Sequence, residues 1–264
     1  MDMTTVFGIA AGLLALFFGF VWEGGHAESL FEKTAILIVF GGTFAAVAVS
    51  YPLTRLKQIP GALRLAFSRS GADPYELIDR IVAMATVARR EGVLALEKEA
   101  NGMDEPFLRD GLLMVVDGTD PELTRQILMM EIDALERKRE QQAKIFESAG
   151  GFSPTMGIIG TVMGLIHVLS NLSDPSLLGP SIAVAFTATL YGVAGANLVY
   201  LPIASKIKSN SEEHIQTMEL MLEGVLALQA GENPQLIRKK LTSFMLLDAE
   251  NPKAKKVEPD AQEE

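Results

Sequence analysis

The residues with most chemical promise lie inside two apolar stretches, around 152–172 and 180–204. In the first, Gly157, Thr161, Gly164 and Val168 recur at helical spacing and share one side of a helix. Gly160 with Gly164 adds a G-x-x-x-G pair, the spacing that lets two membrane helices approach closely. In the second, Ala185, Thr189, Gly192 and Ala196 repeat the pattern. Thr155 and Thr187 place further hydroxyls in the same stretches. A buried threonine can satisfy itself on a carbonyl one turn back. Two threonines on facing small-residue stripes can instead line a narrow polar path. Spacing leaves both uses open. Pro154 and Pro202 sit towards the ends of the two stretches, where each deletes a backbone donor and can kink a helix. A proline tolerated at a helix end is the plainer alternative.

What these stretches lack narrows the chemistry. Neither they nor two earlier apolar blocks hold an Asp, Glu, Lys or Arg well inside. A proton or cation carrier normally keeps an ionisable group at membrane depth. The chain is therefore not expected to form a complete ion path alone: it transports nothing, or another subunit brings the carboxylate. It has no cysteine, and His26, His167 and His214 are too far apart in sequence to offer ligand spacing, so no metal or cofactor is expected. His167 reads as an interfacial or packed side chain before a relay group, and Tyr191, Asn197 and Tyr200 as satisfied by local partners near interfaces or within the bundle. No phosphate-binding loop, metallopeptidase motif or nucleophile triad is present, and an enzyme is not expected. The net charge of -10 argues against nucleic acid as a partner.

The elements that must position these residues are membrane helices. The mean hydropathy is +0.24 with 21% charged residues, so apolar and charged residues are segregated. Crossing a bilayer takes roughly 20 apolar residues. Four blocks qualify: about 4–22, 34–53, 152–172 and 180–204. The chain opens without a basic stretch or a clear small-x-small cleavage site, so the first block reads as a retained span. The expectation is an all-α membrane protein of two hairpins: residues 1–53, then a cytoplasmic helical domain over 54–151, then 152–204. Cytoplasmic helices would follow over 205–248 and a disordered tail over 249–264.

Orientation follows the basic residues beside the spans. Arg55, Lys57, Arg64 and Arg69 follow the second span; Arg137, Lys138, Arg139 and Lys144 precede the third; Lys206 and Lys208 follow the fourth. The short connections, 23–33 and 171–179, carry only Lys33. Both termini and the central domain are therefore placed in the cytoplasm, and the two hairpin tips outside. Asp73-Pro74 and Asp120-Pro121 are helix-start signals. The second opens a charged run expected to continue into the third span. A further helix is expected over 210–229 and a short one after Asn233-Pro234. Between the helix starts lies a charged cluster, Arg89, Arg90, Glu91, Glu97, Lys98 and Glu99, around Gly92, where the helix is open to interruption.

Three blocks, GGFSPTMGIIGTVMGLIHVL, IAVAFTATLYGVAGANLVYLPIA and ARREGVLALE (Ala88 to Glu97), resemble the larger membrane subunit of the bacterial flagellar stator, the MotA/PomA/MotP proteins. The resemblance covers nearly the whole chain. The related ExbB and TolQ proteins share the Gly/Thr character of the last two spans but typically have three spans, so the early hairpin favours the stator. The resemblance implies torque generation driven by an ion-motive force in the bacterial inner membrane. Five copies would surround two copies of a single-span MotB/PomB/MotS-like partner, whose aspartate binds the proton or sodium ion. It places Thr161 and Thr189 on the ion path and Pro154 and Pro202 in coupling. It places Arg89 and Glu97 at the rotor's switch protein, with Arg90 and Glu91 as contributors. Gly157, Gly160, Gly164 and Gly192 serve close packing. The alternatives are an ExbB/TolQ-like energiser of envelope transport and a scaffold that conducts nothing.

Overall fold

The computed structural model describes residues 3–68, 73–170 and 175–249. Arg69, part of the expected 171–179 connection and the tail after Ala249 lie outside the described residues. Every regular element among them is helical.

Four helical stretches are long and apolar enough to cross a membrane. The first is α1, Met3–Trp22. The second starts as α2, Lys33–Ile36, widens into a π-helical turn at Leu37–Gly41, and continues as α3, Gly42–Ser50. It ends before the Leu53 expected from hydropathy. Tyr51 is extended (φ -130°, ψ 140°) because it precedes Pro52, whose ring disfavours the helical conformation at that position. Two short helices follow, α4 at Leu53–Leu56 and α5 at Ile59–Ala66.

The third span belongs to α9, one helix from Pro121 to Ser170. The expected continuation of the charged run into the membrane is present. The fourth span is α10, Pro175–Ala194, starting earlier than the expected 180. It passes through a π-helical turn, Gly195–Tyr200, directly into α11, Leu201–Gln229. The separate helix expected from Asn210 is thus the end of a longer one. Pro202 does not break it: the preceding turn winds more widely, and Leu201 N–H bonds back five residues to Ala196. A looser turn accommodates a missing donor where a tight one would clash.

The chain separates into two compact units, Met1–Arg69 with Arg137–Ser211, and Ser70–Glu136 with Glu212–Glu264. In the first, Ala62 and Ala66 of α5 pack on Ala143 and Phe146 of α9 and on Ile203, Ala204 and Ile207 of α11. Tyr51 donates its hydroxyl to the Lys144 carbonyl at 3.0 Å, and Asn210 donates to the Leu65 carbonyl at 2.9 Å. By contrast α1 has no buried residue. A side chain at Gly12 would meet Leu198 at 2.9 Å, the tightest approach α1 makes through its glycines. A helix apolar on all sides and uncovered by its own chain is built for lipid or another subunit.

The second unit is a helical bundle of α6 (Pro74–Glu91), α7 (Leu96–Asn101), α8 (Pro106–Val116), α12 (Pro234–Ala249) and the adjoining parts of α9 and α11. Three helices start in the same way. Asp73 accepts from Tyr75 N–H at 3.0 Å, Asp120 from Glu122 and Leu123 at 2.9 and 3.2 Å, and Asn233 from Gln235 at 2.9 Å. Each is followed by a proline whose missing N–H costs nothing in the first turn. The core holds Ile78 and Ile81 of α6, Leu112 of α8, Leu128 of α9, Val225 of α11 and Ile237 and Leu241 of α12, none more than 2% exposed. Ile81 lies over Gly224, where a Cβ would come within 2.7 Å of its Cδ1. Truncation of this side chain leaves a cavity under a glycine that cannot fill it. Ile81→Ala is expected to destabilise the bundle by about 2–5 kcal/mol, seen as a lower melting temperature in detergent and lower abundance in cells.

Candidate functional site

The two small-residue stripes face each other. A Cβ at Gly157 would stand 2.9 Å from the Ala188 carbonyl and 3.3 Å from Gly192 Cα; one at Gly192 would stand 2.6 Å from the Ser153 carbonyl. At Gly160 and Gly164 it would meet the Cβ atoms of Ala188 and Ala185, at 2.6 and 2.8 Å. The third and fourth spans therefore touch backbone to backbone over Ser153–Gly192 and Gly157–Gly192, and through methyl groups further along. These glycines thus pack the two spans together inside the chain.

The threonines follow from that closeness. Thr161 and Thr189 share a hydrogen bond between their hydroxyls, and Thr161 Oγ1 also lies 2.9 Å from the Ala185 carbonyl and 3.2 Å from that of Gly157. A hydroxyl has one proton. The arrangement that satisfies most partners has Thr189 donating to Thr161, and Thr161 donating to Ala185. Both side chains are half-buried, so this short chain of polar atoms keeps an open side. Ser153, fully buried, donates to the Gly192 carbonyl at 2.9 Å and extends the row by two turns. Its position one turn before Gly157 on the same stripe was a signal in the sequence that polar-residue reasoning passed over.

The other candidates divide. Thr155 is exposed and bonds the Phe152 carbonyl three residues back, 2.7 Å away. Asn197 donates to the Val193 carbonyl at 2.9 Å, a local partner as expected. Tyr191 does not bond locally: its hydroxyl donates to the Leu30 carbonyl, more than 150 residues away in sequence. His167 stands exposed on the last turns of α9. Pro154 and Pro202 are both half-buried within continuous helices. Pro154 withholds the donor that the Gly150 carbonyl would receive in an unbroken ladder.

The charged cluster lies in the second unit. Arg89 and Arg90 occupy the last turn of α6, and Glu97 and Glu99 the first turn of α7. Between them Gly92 takes φ +87°, a conformation that side chains rarely adopt, and starts a single 3-10 turn, Val93–Ala95. The helix is thus interrupted at the glycine. Basic residues at a helix C-terminus and acidic ones at an N-terminus each gain about 0.3–1 kcal/mol from the helix dipoles. All six charges of the cluster are exposed. Among the described residues Arg89 and Glu97 form no ion pair, with each other or elsewhere. Leu94, on the turn between them, is 70% exposed.

Residues 99–220 match the model of the MotA/TolQ/ExbB proton channel family, and residues 6–92 that of the motility protein A N-terminal region. Motility protein A of Bacillus subtilis is 37% identical over 246 residues, 93% of this chain and 91% of the relative. The chain belongs to the MotA/PomA stator family. In line with this, it superposes on the flagellar MotAB stator complex from Bacillus subtilis with a TM-score of 0.87 at 37% identity, covering 97% of this chain and all of the matched one. C. jejuni MotAB gives a TM-score of 0.88 at 30% identity, over 92% of this chain and 96% of that one. The chain is accordingly a multi-pass protein of the bacterial inner membrane with a large cytoplasmic helical domain. It is not an enzyme.

The glycine contacts yield a graded expectation. Gly192→Val puts a branched side chain against the Ser153 carbonyl, which cannot move without its helix, and should cost about 1–3 kcal/mol. Gly61→Ala has nothing within 4 Å of the added methyl and should be neutral or slightly stabilising. Melting of the purified variants in detergent, with abundance in membranes, separates the two.

Proposed function

We infer that this chain is the multi-copy membrane subunit of an ion-driven torque generator of the flagellar motor. One observation carries the division of labour within that machine. The spans supply hydroxyls and carbonyls along the Thr161–Thr189 contact but hold no Asp, Glu, Lys or Arg at depth. The ion-binding carboxylate must then come from elsewhere. A single-span partner of the MotB kind, supplying an aspartate, meets that need. The solved relatives are MotAB complexes, which supports a partner of that kind.

In this reading several copies, five by family resemblance, surround two copies of the partner. Protons or sodium ions pass at the shared face as cargo, not as a bound cofactor. Thr161 and Thr189 line the path on this chain's side. Pro154 and Pro202, at the weakened points of the two path helices, let ion occupancy alter helix geometry. Arg89 and Glu97, assisted by Arg90 and Glu91, engage the rotor's switch protein. Their exposure, and the lack of an ion pair at Arg89 and Glu97 among the described residues, leave them available, because no internal bond there need be broken first. The ExbB/TolQ-like alternative shares the channel region, but residues 6–92 match the motility protein's own N-terminal region.

Deleting the gene in its host should abolish swimming while flagella remain, and restoring it should return swimming; full motility in the deletion would sink the reading unless a second stator set is present. Against that background Thr189→Ala should lower torque at limiting ion-motive force, since it removes a path hydroxyl. Equal torque at wild-type abundance would remove Thr189 from the path. The charge reversals Arg89→Glu and Glu97→Lys should each reduce torque without reducing abundance or ion-path function. Bead rotation of tethered flagella and immunoblotting of membranes read both quantities.

A further inference from the structure

The fourth span carries two hydroxyls on the face opposite Thr189. Thr187 and Tyr191 lie one turn apart, and Thr189 between them is turned about 200° from Thr187 at 3.6 residues per turn. Thr189 meets Thr161 of the third span. The opposite face meets the outer connection between the first two spans. There the Tyr191 hydroxyl donates to the Leu30 carbonyl and accepts from Glu32 N–H at 3.3 Å. Thr187 Oγ1 lies 2.8 Å from the Ala183 carbonyl and 3.4 Å from that of Ser29. Ser29 and Leu30 belong to the short turn Ala27–Leu30, and Glu32 is the residue ahead of α2. Its N–H precedes the helical ladder and needs an acceptor from outside it. Apolar packing reinforces the contact: Ala35 and Val39 bury against Ala188 with Tyr191 beside them, and the Phe40 and Tyr191 rings lie 6.1 Å apart.

We propose that Tyr191, with Thr187 as the lesser partner, is a positioning residue for the ion path. By fastening the outer connection and the start of the second span to the back of the fourth span, it fixes the rotation of that helix. That rotation keeps the Thr189 hydroxyl against Thr161. The inference rests on the reading of Thr161 and Thr189 as path residues. Little else in the first hairpin bears on that path chemically, because its spans carry few polar side chains; the clamp gives the hairpin a role in it. Tyr191→Phe keeps the ring and its contact with Phe40 while releasing the Leu30 carbonyl and the Glu32 amide. Both are backbone groups that seek a partner wherever water is scarce. The connection then shifts to satisfy them, and the fourth span loses its rotational reference.

The test is a double-mutant cycle in cells lacking their own copy, with the partner gene intact and abundance checked by immunoblot. Swimming speed is measured against the concentration of the driving ion. Tyr191→Phe should shift the half-saturating ion concentration by about threefold or more with abundance unchanged, a change that loss of stability alone would not give. In a Thr189→Ala background the same substitution should add little, since both act through one hydroxyl. Thr187→Val should shift the curve in the same direction and less, and Thr187→Ser should restore it. Ion uptake by vesicles holding the whole complex reads the same shift where a variant leaves cells immotile. An unshifted curve for Tyr191→Phe beside an impaired Thr189→Ala overturns the clamp and leaves the path reading standing. An equal shift in both backgrounds makes Tyr191 a general support of the fold and also overturns it. Thr189→Ala without effect removes the path reading itself, and the clamp with it.

Discussion

Everything in the membrane unit depends on how closely the third and fourth spans approach. At Gly157 and Gly192 the distance leaves no room for a side chain on either helix, because an added Cβ would stand 2.6–2.9 Å from a carbonyl oxygen of the other. Lipid tails are as apolar as leucine, so membrane helices gain little from burying apolar surface against each other and rely on close packing and hydrogen bonds. Glycine supplies the first, and the Ser153–Gly192 bond supplies the second at the same level of the pair. The Thr161–Thr189 contact is a consequence, since short side chains meet across an interface only when backbones are already near. A polar row of this kind is thus created by packing.

The absence of Asp, Glu, Lys and Arg from the interior of the spans then takes on a structural meaning. A carboxylate within so tight a contact would be desolvated and without a counter-charge, which costs several kcal/mol or forces it to take up a proton. Hydroxyls tolerate the site because each donates its one hydrogen bond within it, Thr189 to Thr161 and Thr161 to the Ala185 carbonyl.

Much of this was legible in the sequence, for identifiable reasons. Membrane spans are signalled by long uncharged runs, and the helix starts at Asp73 and Asp120 by a side-chain acceptor followed by proline; both signals are local. The end of the second span was also locally encoded, in Tyr51-Pro52, but hydropathy alone carried the boundary too far because Leu53 is apolar. The unbroken passage through Pro202 was not legible, because a proline reads as a break unless a wider turn precedes it. No local pattern announces the π-helical turn at Gly195–Tyr200. Tyr191 was misread for a different reason. Its partners lie in another hairpin, and the pairing distance along the chain exceeds anything that spacing can express.

The charged cluster shows where sequence and structure answer different questions. Arg89 and Glu97 are eight apart, a spacing that on one continuous helix would set them about 80° apart around it and about 12 Å along it. The structure instead puts a left-handed glycine between them, so that one charge closes a helix and the other opens the next. Each is then held by the end of a helix rather than by its neighbour, and both remain exposed, without an ion pair among the described residues. Helix-end electrostatics explains why these signs occur at these positions in an isolated chain. It does not require that they stay unpaired, since exposed pairs would cost the fold little and contribute about 0–1 kcal/mol. Leaving opposite charges unpaired on either side of an exposed Leu94 has no benefit to the bundle. Under the proposed function this surface meets a partner outside the chain, where an apolar tip can be buried and the surrounding charges can set orientation and discourage wrong partners.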